Sequence, residues 1–118
     1  MQKTVFWWIF GACAMSEEAF KQIMYVWRDL MQENQVKYSL TDTLHFNFPL
    51  TPEIQNWIVE NITEPLFKNF SFRKHAFVTP IEFVSSLGIE QLTDENNSKG
   101  INEAYFSDID SARKWLLS

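Results

Sequence analysis

The chain has 118 residues, which is long enough to bury a core and predicts a single domain over residues 1–118. Its net charge of −5, with acidic residues spread along the chain, argues against nucleic-acid binding, which needs a concentrated basic surface. Cys13 is the one cysteine, so an intrachain disulfide is excluded, a cysteine-based metal site is disfavoured, and the reducing cytoplasm is the expected location.

The apolar run over residues 5–14 has two interpretations, a buried strand and a weak signal-like segment. Its aromatic and β-branched residues are typical of a strand. Lys3 before it and the Ala-x-Ala at its end are typical of a signal peptide. Because the run is short for a signal and far too short to span a membrane, we favour the strand.

Two helices and a second strand are predicted next. Ser16 is a suitable N-cap for the first helix, and an extended run follows over residues 36–46. Thr51 caps the second helix, where Pro52 fits the first turn. Pro65 interrupts that helix and predicts a kink or break near residues 61–64.

The rest of the chain repeats the same alternation. A third strand over residues 73–79 leads to a helix that a Thr79–Glu82 capping box would start. Residues 93–100 are polar and predict a loop, and residues 101–106 a fourth strand before a closing helix. Four strands alternating with four helices predict an α/β fold, a single domain with a mainly parallel four-stranded sheet and right-handed crossovers.

Three segments carry a family resemblance: residues 51–62 (TPEIQNWIVENI), 75–80 (HAFVTP) and 105–116 (YFSDIDSARKWL). In order and spacing they resemble the SpoIIAA-like branch of the STAS/SEC14 group, most of all the small STAS-like proteins of Bacteroidetes bacteria. The resemblance covers roughly residues 16–118. It implies strands stacked in sequence as a βα superhelix, and regulatory binding instead of catalysis.

The resemblance also implies a regulatory surface at the second helix, but the family's phosphorylation motif, Asp-Ser-Ser-Gly, is missing there. Thr51 is the one hydroxyl near that place, and as a phosphoacceptor it would put charge at a helix N-terminus, which tolerates it. As a plain N-cap it would have no regulatory role, and we favour that interpretation. The predicted partner surface comprises Thr51, Glu53 and Trp57.

Family members usually open with a β-hairpin, whereas this chain has room for one strand before Ser16. Apolar residues occupy both faces of that strand, and an edge strand without cover pairs readily with another chain. We therefore expect a homodimer whose edge includes Phe6, Trp8 and Phe10.

No residue pattern in the sequence predicts catalysis, a metal or a cofactor. His45 and His75 lack partners at metal-ligand spacing, and neither a nucleophile elbow nor a glycine-rich phosphate loop is present. We expect a non-enzymatic regulatory or protein-interaction module. The alternative is a carrier of a small hydrophobic ligand or lipid, as the SEC14 side of the resemblance implies, with an apolar pocket lined by Phe46, Phe48, Trp57, Phe67 and Phe83.

Overall fold

The computed structural model describes residues 5–9, 16–69 and 72–118, apart from the side chains of Phe6, Ile9 and Asn69. Its strands form one parallel sheet in chain order, β1-β2-β3-β4. The strands are β1 (Val5–Ile9), β2 (Tyr38–Asp42), β3 (Lys74–Val78) and β4 (Glu103–Phe106). This confirms the predicted α/β class with a parallel four-stranded sheet.

Helices connect the strands, and side-chain caps define where most of them begin. They are α1 (Glu17–Glu33), α2 (Pro52–Ile58), a π-helical turn (Val59–Thr63), α3 (Glu64–Asn69), α4 (Phe83–Ser98) and α5 (Ile109–Leu117). Ser16, Thr51 and Asp108 each accept a hydrogen bond from the backbone N–H three residues later. The first two caps are the predicted ones, and Asp108 caps the last helix.

The helices cover the two faces of the sheet unequally. Because the strands follow one another in space as in sequence, crossovers of one hand bring every connecting helix to the same face. On that face α1 to α4 enclose the main core, which includes Phe20, Trp27, Ile58, Phe72 and Ile89. On the other face α5 buries Ala112 and Leu116 against Leu40, Ala76 and Val78.

Three predicted boundaries differ from the structure. The N-cap of the helix after β3 is Glu82 and not Thr79, so that α4 begins at Phe83. The second strand ends at Asp42, whose carboxylate accepts a hydrogen bond from the Leu44 N–H and turns the chain. Residues 93–98, predicted as loop, continue α4, because Thr93 and Asn96 are buried on its inner face and tertiary packing extends the helix. The polar composition of this segment had favoured a loop, since polar residues are usually exposed.

The predicted break near residues 61–64 takes the form of the π-helical turn. Pro65 has no N–H to donate to the carbonyl of Asn61, four residues earlier. Instead, Nη1 of Arg28 on α1 donates a hydrogen bond of 3.2 Å to that oxygen. The turn therefore keeps its backbone paired through a neighbouring helix.

Candidate functional site

A hydrogen-bonded chain of side chains runs through the core, and we call its five members the buried polar chain: Thr41, Thr63, His75, Asn96 and Glu103. Strand register explains its position. His75 pairs with Ser39 and with Glu103 across the sheet, so the three side chains point to the same face. Thr41, two residues after Ser39 on β2, points to this face as well. The face is covered by α1 to α4, and there Thr41, His75 and Glu103 bond to one another in place of water.

The distances in the buried polar chain are those of well-formed hydrogen bonds. His75 Nε2 lies 2.7 Å from Thr41 Oγ1, and His75 Nδ1 lies 2.7 Å from Glu103 Oε2. The other carboxylate oxygen of Glu103 accepts from the Asn96 amide at 2.8 Å. Thr63, on the π-helical turn, donates to Asn96 Oδ1 at 2.8 Å. The buried polar chain thus joins three strands, the π-helical turn and α4.

Thr41, His75 and Glu103 have the connectivity of a hydroxyl, a base and an orienting carboxylate. However, each of the three residues is only 3% exposed. Trp27 and Phe72 pack over the imidazole, with ring centroids 5.3 and 6.0 Å from that of His75. Within the described residues, this packing shields the Thr41 hydroxyl from solvent, and the hydrogen bonds of the buried polar chain tie strands and helices together.

The sequence patterns did not reveal the buried polar chain, although a signal was present. A parallel sheet with helices on both faces buries both sides of its inner strands. Polar residues within such strands must then find partners inside the protein. Ser39, Thr41 and His75 are such residues, whereas His45, in the loop after β2, is exposed.

In the part of the chain that the structure describes, the residues predicted to line an apolar pocket leave only a small cavity between them. Phe46 and Phe48 are buried and pack on Phe20, with ring centroids 6.1 and 4.6 Å apart. The cavity beside Phe20 and Phe46 has a volume of about 30 Å³, far below the several hundred Å³ that enclose a drug-sized or lipid ligand. Phe67 and Trp57 pack at the margin of the same core.

Phe83 does not lie with the other predicted pocket residues, since it is 76% exposed. The inner face of α4 instead presents the small residues Ser85 and Gly88 in its first turns, followed by Ile89, Leu92, Thr93 and Asn96. A Cβ atom on Gly88 would lie 3.0 Å from that of Leu50, so the helix approaches too closely for larger side chains there. The apolar residues at the start of α4 are turned outward as a result.

The outward residues of α4, together with Ile81 just before its N-cap, form an exposed apolar surface. We call it the α4 patch: Ile81, Phe83, Val84 and Leu87. Their exposed fractions are 73%, 76%, 62% and 43%. Glu82 between them caps α4, accepting from the backbone N–H of Val84 and of Ser85. The patch is therefore held on the rigid end of a helix, and exposed apolar groups of this kind mark interaction sites.

An acidic surface adjoins the α4 patch. Glu90, Asp94 and Glu95 lie on α4, which contains neither lysine nor arginine. Tyr105 lies on the edge strand β4, and the negative charges of Glu90 and Asp94 raise the pKa of its hydroxyl. The carboxylates of α4 thus create a negative field beside the apolar residues.

The residues predicted for a partner surface lie apart from the α4 patch in sequence and differ in exposure. Thr51 and Glu53 are exposed at the start of α2, and the Thr51 hydroxyl accepts from the Ile54 N–H at 3.3 Å, which is the N-cap role. Trp57 is half-buried, in edge contact with Tyr25 at 5.3 Å and beneath the Lys21 ammonium. The ring of Trp57 thus already contacts two side chains of α1.

The predicted dimer edge lies partly outside the described residues. β1 is an edge of the sheet and pairs with β2 in the part of the chain described. Trp8 is half-buried against the main core, whereas Trp7 on the opposite face is 51% exposed. Phe10 and the side chain of Phe6 are outside the described residues, as is Cys13.

Within residues 5–9, 16–69 and 72–118, no three His, Cys, Asp or Glu side chains are grouped as a metal site would require. The helices in these ranges also lack the length and apolar character needed to cross a bilayer. No family model, curated protein or solved structure matches the chain.

Proposed function

We propose that the protein is a non-enzymatic interaction module that binds a protein partner through the α4 patch. The observation that carries this proposal is the exposure of four apolar side chains on one capped helix end. Leaving them in water forgoes the free energy of burial, about 1.5–3 kcal/mol for each fully buried large side chain. A partner that covers the patch would recover part of that free energy.

The packing of the described aromatic cluster supports an interaction module over a carrier. A lipid carrier needs a cavity of several hundred Å³, and the cavity that the described residues form at this cluster measures about 30 Å³. The sequential strand order is the one that the SpoIIAA-like resemblance implies, and that resemblance also implies regulatory binding. We accordingly propose a STAS-like regulatory role in the bacterial cytoplasm.

Site-specific photocrosslinking in the native host tests this function. A photoreactive amino acid at Leu87 would lie within the α4 patch, and the same group at Lys68, exposed on α3, would serve as the control. We expect one protein to crosslink from Leu87 and not from Lys68. The purified partner should then bind the wild-type protein and lose at least tenfold in affinity for Leu87→Asp. Equal crosslinking from both positions, or unchanged affinity, would contradict the proposal.

We also propose that the protein forms a homodimer along β1. An edge strand offers unpaired backbone groups, and the 51% exposure of Trp7 adds an apolar side chain beside them. Sedimentation velocity over a hundredfold concentration range should show a dimer that Trp7→Ser weakens. A monomer at every concentration would rule this assembly out and leave the α4 patch proposal untouched.

A further inference from the structure

The surface of α4 changes along one stripe from apolar to acidic. Phe83, Leu87, Glu90 and Asp94 are spaced i, i+4, i+7 and i+11, so they lie on one side of the helix. Leu87 and Asp94 are separated by about 10 Å along the axis, at about 1.5 Å per residue. One short helical segment of a partner could therefore contact both the apolar end and the acidic end of this stripe.

The acidic end of this stripe has no positive charge on its own helix. The next basic residue in the chain is Lys99, and its ammonium pairs with Glu64 of α3 at 3.9 Å. Glu82 adds a further carboxylate at the N-cap, beside the apolar end. Among the described residues, no lysine, arginine or histidine forms an ion pair with Glu90 or Asp94. A partner that brings cations to the stripe is therefore favoured over one that brings carboxylates.

We propose, building on the function proposed above, that the partner segment is an amphipathic helix with apolar residues at one end of its contact face and lysine or arginine at the other. Its apolar end would cover Phe83 and Leu87, while its cations would pair with Glu90 and Asp94. Helices that dock by their apolar face use residues spaced i, i+3 or i+4, and i+7, which matches the stripe. Basic residues placed opposite the carboxylates fix the direction of the helix.

Charge disfavours the two other occupants of such a surface. The α4 of a second copy would bring more carboxylates and neither lysine nor arginine to the stripe, on a molecule whose net charge is −5. An anionic membrane would repel Glu82, Glu90 and Asp94 for the same reason, since amphipathic membrane helices carry Lys and Arg on their polar face.

Four synthetic peptides of 16 residues, labelled for fluorescence anisotropy, test the proposal with the full chain. The first carries two leucines and two lysines at the stripe spacing. The second replaces the lysines with glutamates, the third replaces them with glutamines, and the fourth moves the lysines to the opposite face. We expect the first to bind at least tenfold more tightly than the other three. The double variant Glu90→Lys, Asp94→Lys should favour the glutamate peptide instead.

The outcomes test separately whether the partner is basic and whether the α4 patch binds a helix at all. If the glutamine peptide binds as tightly as the lysine peptide and Leu87→Asp weakens both, the basic partner is wrong and the docking surface stands. If the opposite-face lysine peptide binds equally, the affinity is nonspecific and the proposal fails. Leu87-dependent cosedimentation with phosphatidylcholine–phosphatidylserine vesicles, or Leu87-dependent self-association, would also overturn it. If no protein crosslinks from Leu87 in the host, the function proposed above is contradicted instead.

Discussion

The Arg28 guanidinium donates a 3.2 Å hydrogen bond to the Asn61 carbonyl, the oxygen that Pro65 cannot bond within its own helix. A proline inside a helix leaves the carbonyl four residues before it without a donor. Here the π-helical turn and a side chain from α1 together accommodate that loss. The same turn aims Thr63 at Asn96, so the irregular helix and the buried polar chain depend on one another.

Arg28→Ala should therefore lower the free energy of unfolding by about 1.5–3 kcal/mol, the range for a hydrogen bond from a charged donor. Part of this loss will come from the stacking of Arg28 on Tyr25, where the guanidinium lies 4.8 Å from the ring centroid. Pro65→Ala returns an N–H to the helix and separates the two contributions. The cost of Arg28→Ala measured by urea unfolding should be smaller in the Pro65→Ala background, and equal costs would contradict the pairing.

Substitutions at Thr41 and Ser39, two buried hydroxyl residues of β2, test the contribution of the buried polar chain to stability. Both lie on the inner face of β2 and are buried, but only Thr41 bonds to His75. Ser39 Oγ has no protein hydrogen-bond partner among the described residues. Thr41→Val should cost about 1–2 kcal/mol because it leaves His75 Nε2 unpaired, whereas Ser39→Ala should cost less than about 0.5 kcal/mol. Equal costs in chemical denaturation would show that the hydrogen bond to His75 contributes nothing.

Gly88→Ala tests the close approach of α4 to Leu50. In an exposed helix the change would stabilise by about 1 kcal/mol, because alanine favours the helix. Here the new Cβ would lie 3.0 Å from Leu50 Cβ, so overpacking should outweigh that gain and destabilise the protein by about 1 kcal/mol net. Ser86→Ala on the same helix, where the side chain is half-buried, is the control and should change stability little. A thermal midpoint above that of the wild type for Gly88→Ala would refute the tight contact.

The start of α5 should give the protein a pH-dependent contribution to stability. Hydrogen bonds from the Ser111 backbone N–H and hydroxyl lower the pKa of the Asp108 carboxyl below its ordinary value. Because the folded-state pKa is the lower one, this contribution is present above the unfolded value near pH 4 and is lost as the pH falls through the folded value. Asp108→Asn keeps a capping side chain without titrating. Its difference from the wild type in unfolding midpoint should shrink between pH 6 and pH 3, and a constant difference would contradict the linkage.

Much of the fold could be predicted from the sequence because its local signals agree with its packing. Ser16 and Thr51 cap the helices they were expected to cap, and Pro65 marks the irregular turn. The orientation of α4 could not be predicted, because its inner face is chosen by a close contact at Gly88 and by hydrogen bonds at Asn96. A pattern that equates apolar with buried assigns Phe83 to the core, whereas the α4 patch lies in solvent.

The order of the strands also sets how the chain can reach this structure. Each of β2, β3 and β4 pairs with the strand immediately before it in sequence, and the connections between paired strands are helical. None of these pairings has to wait for a distant segment, so the loop entropy of each step stays small. The sheet can therefore grow by one strand and its helical connection at a time, as repeat proteins add one repeat at a time. The edges at β1 and β4 are where such growth begins and stops.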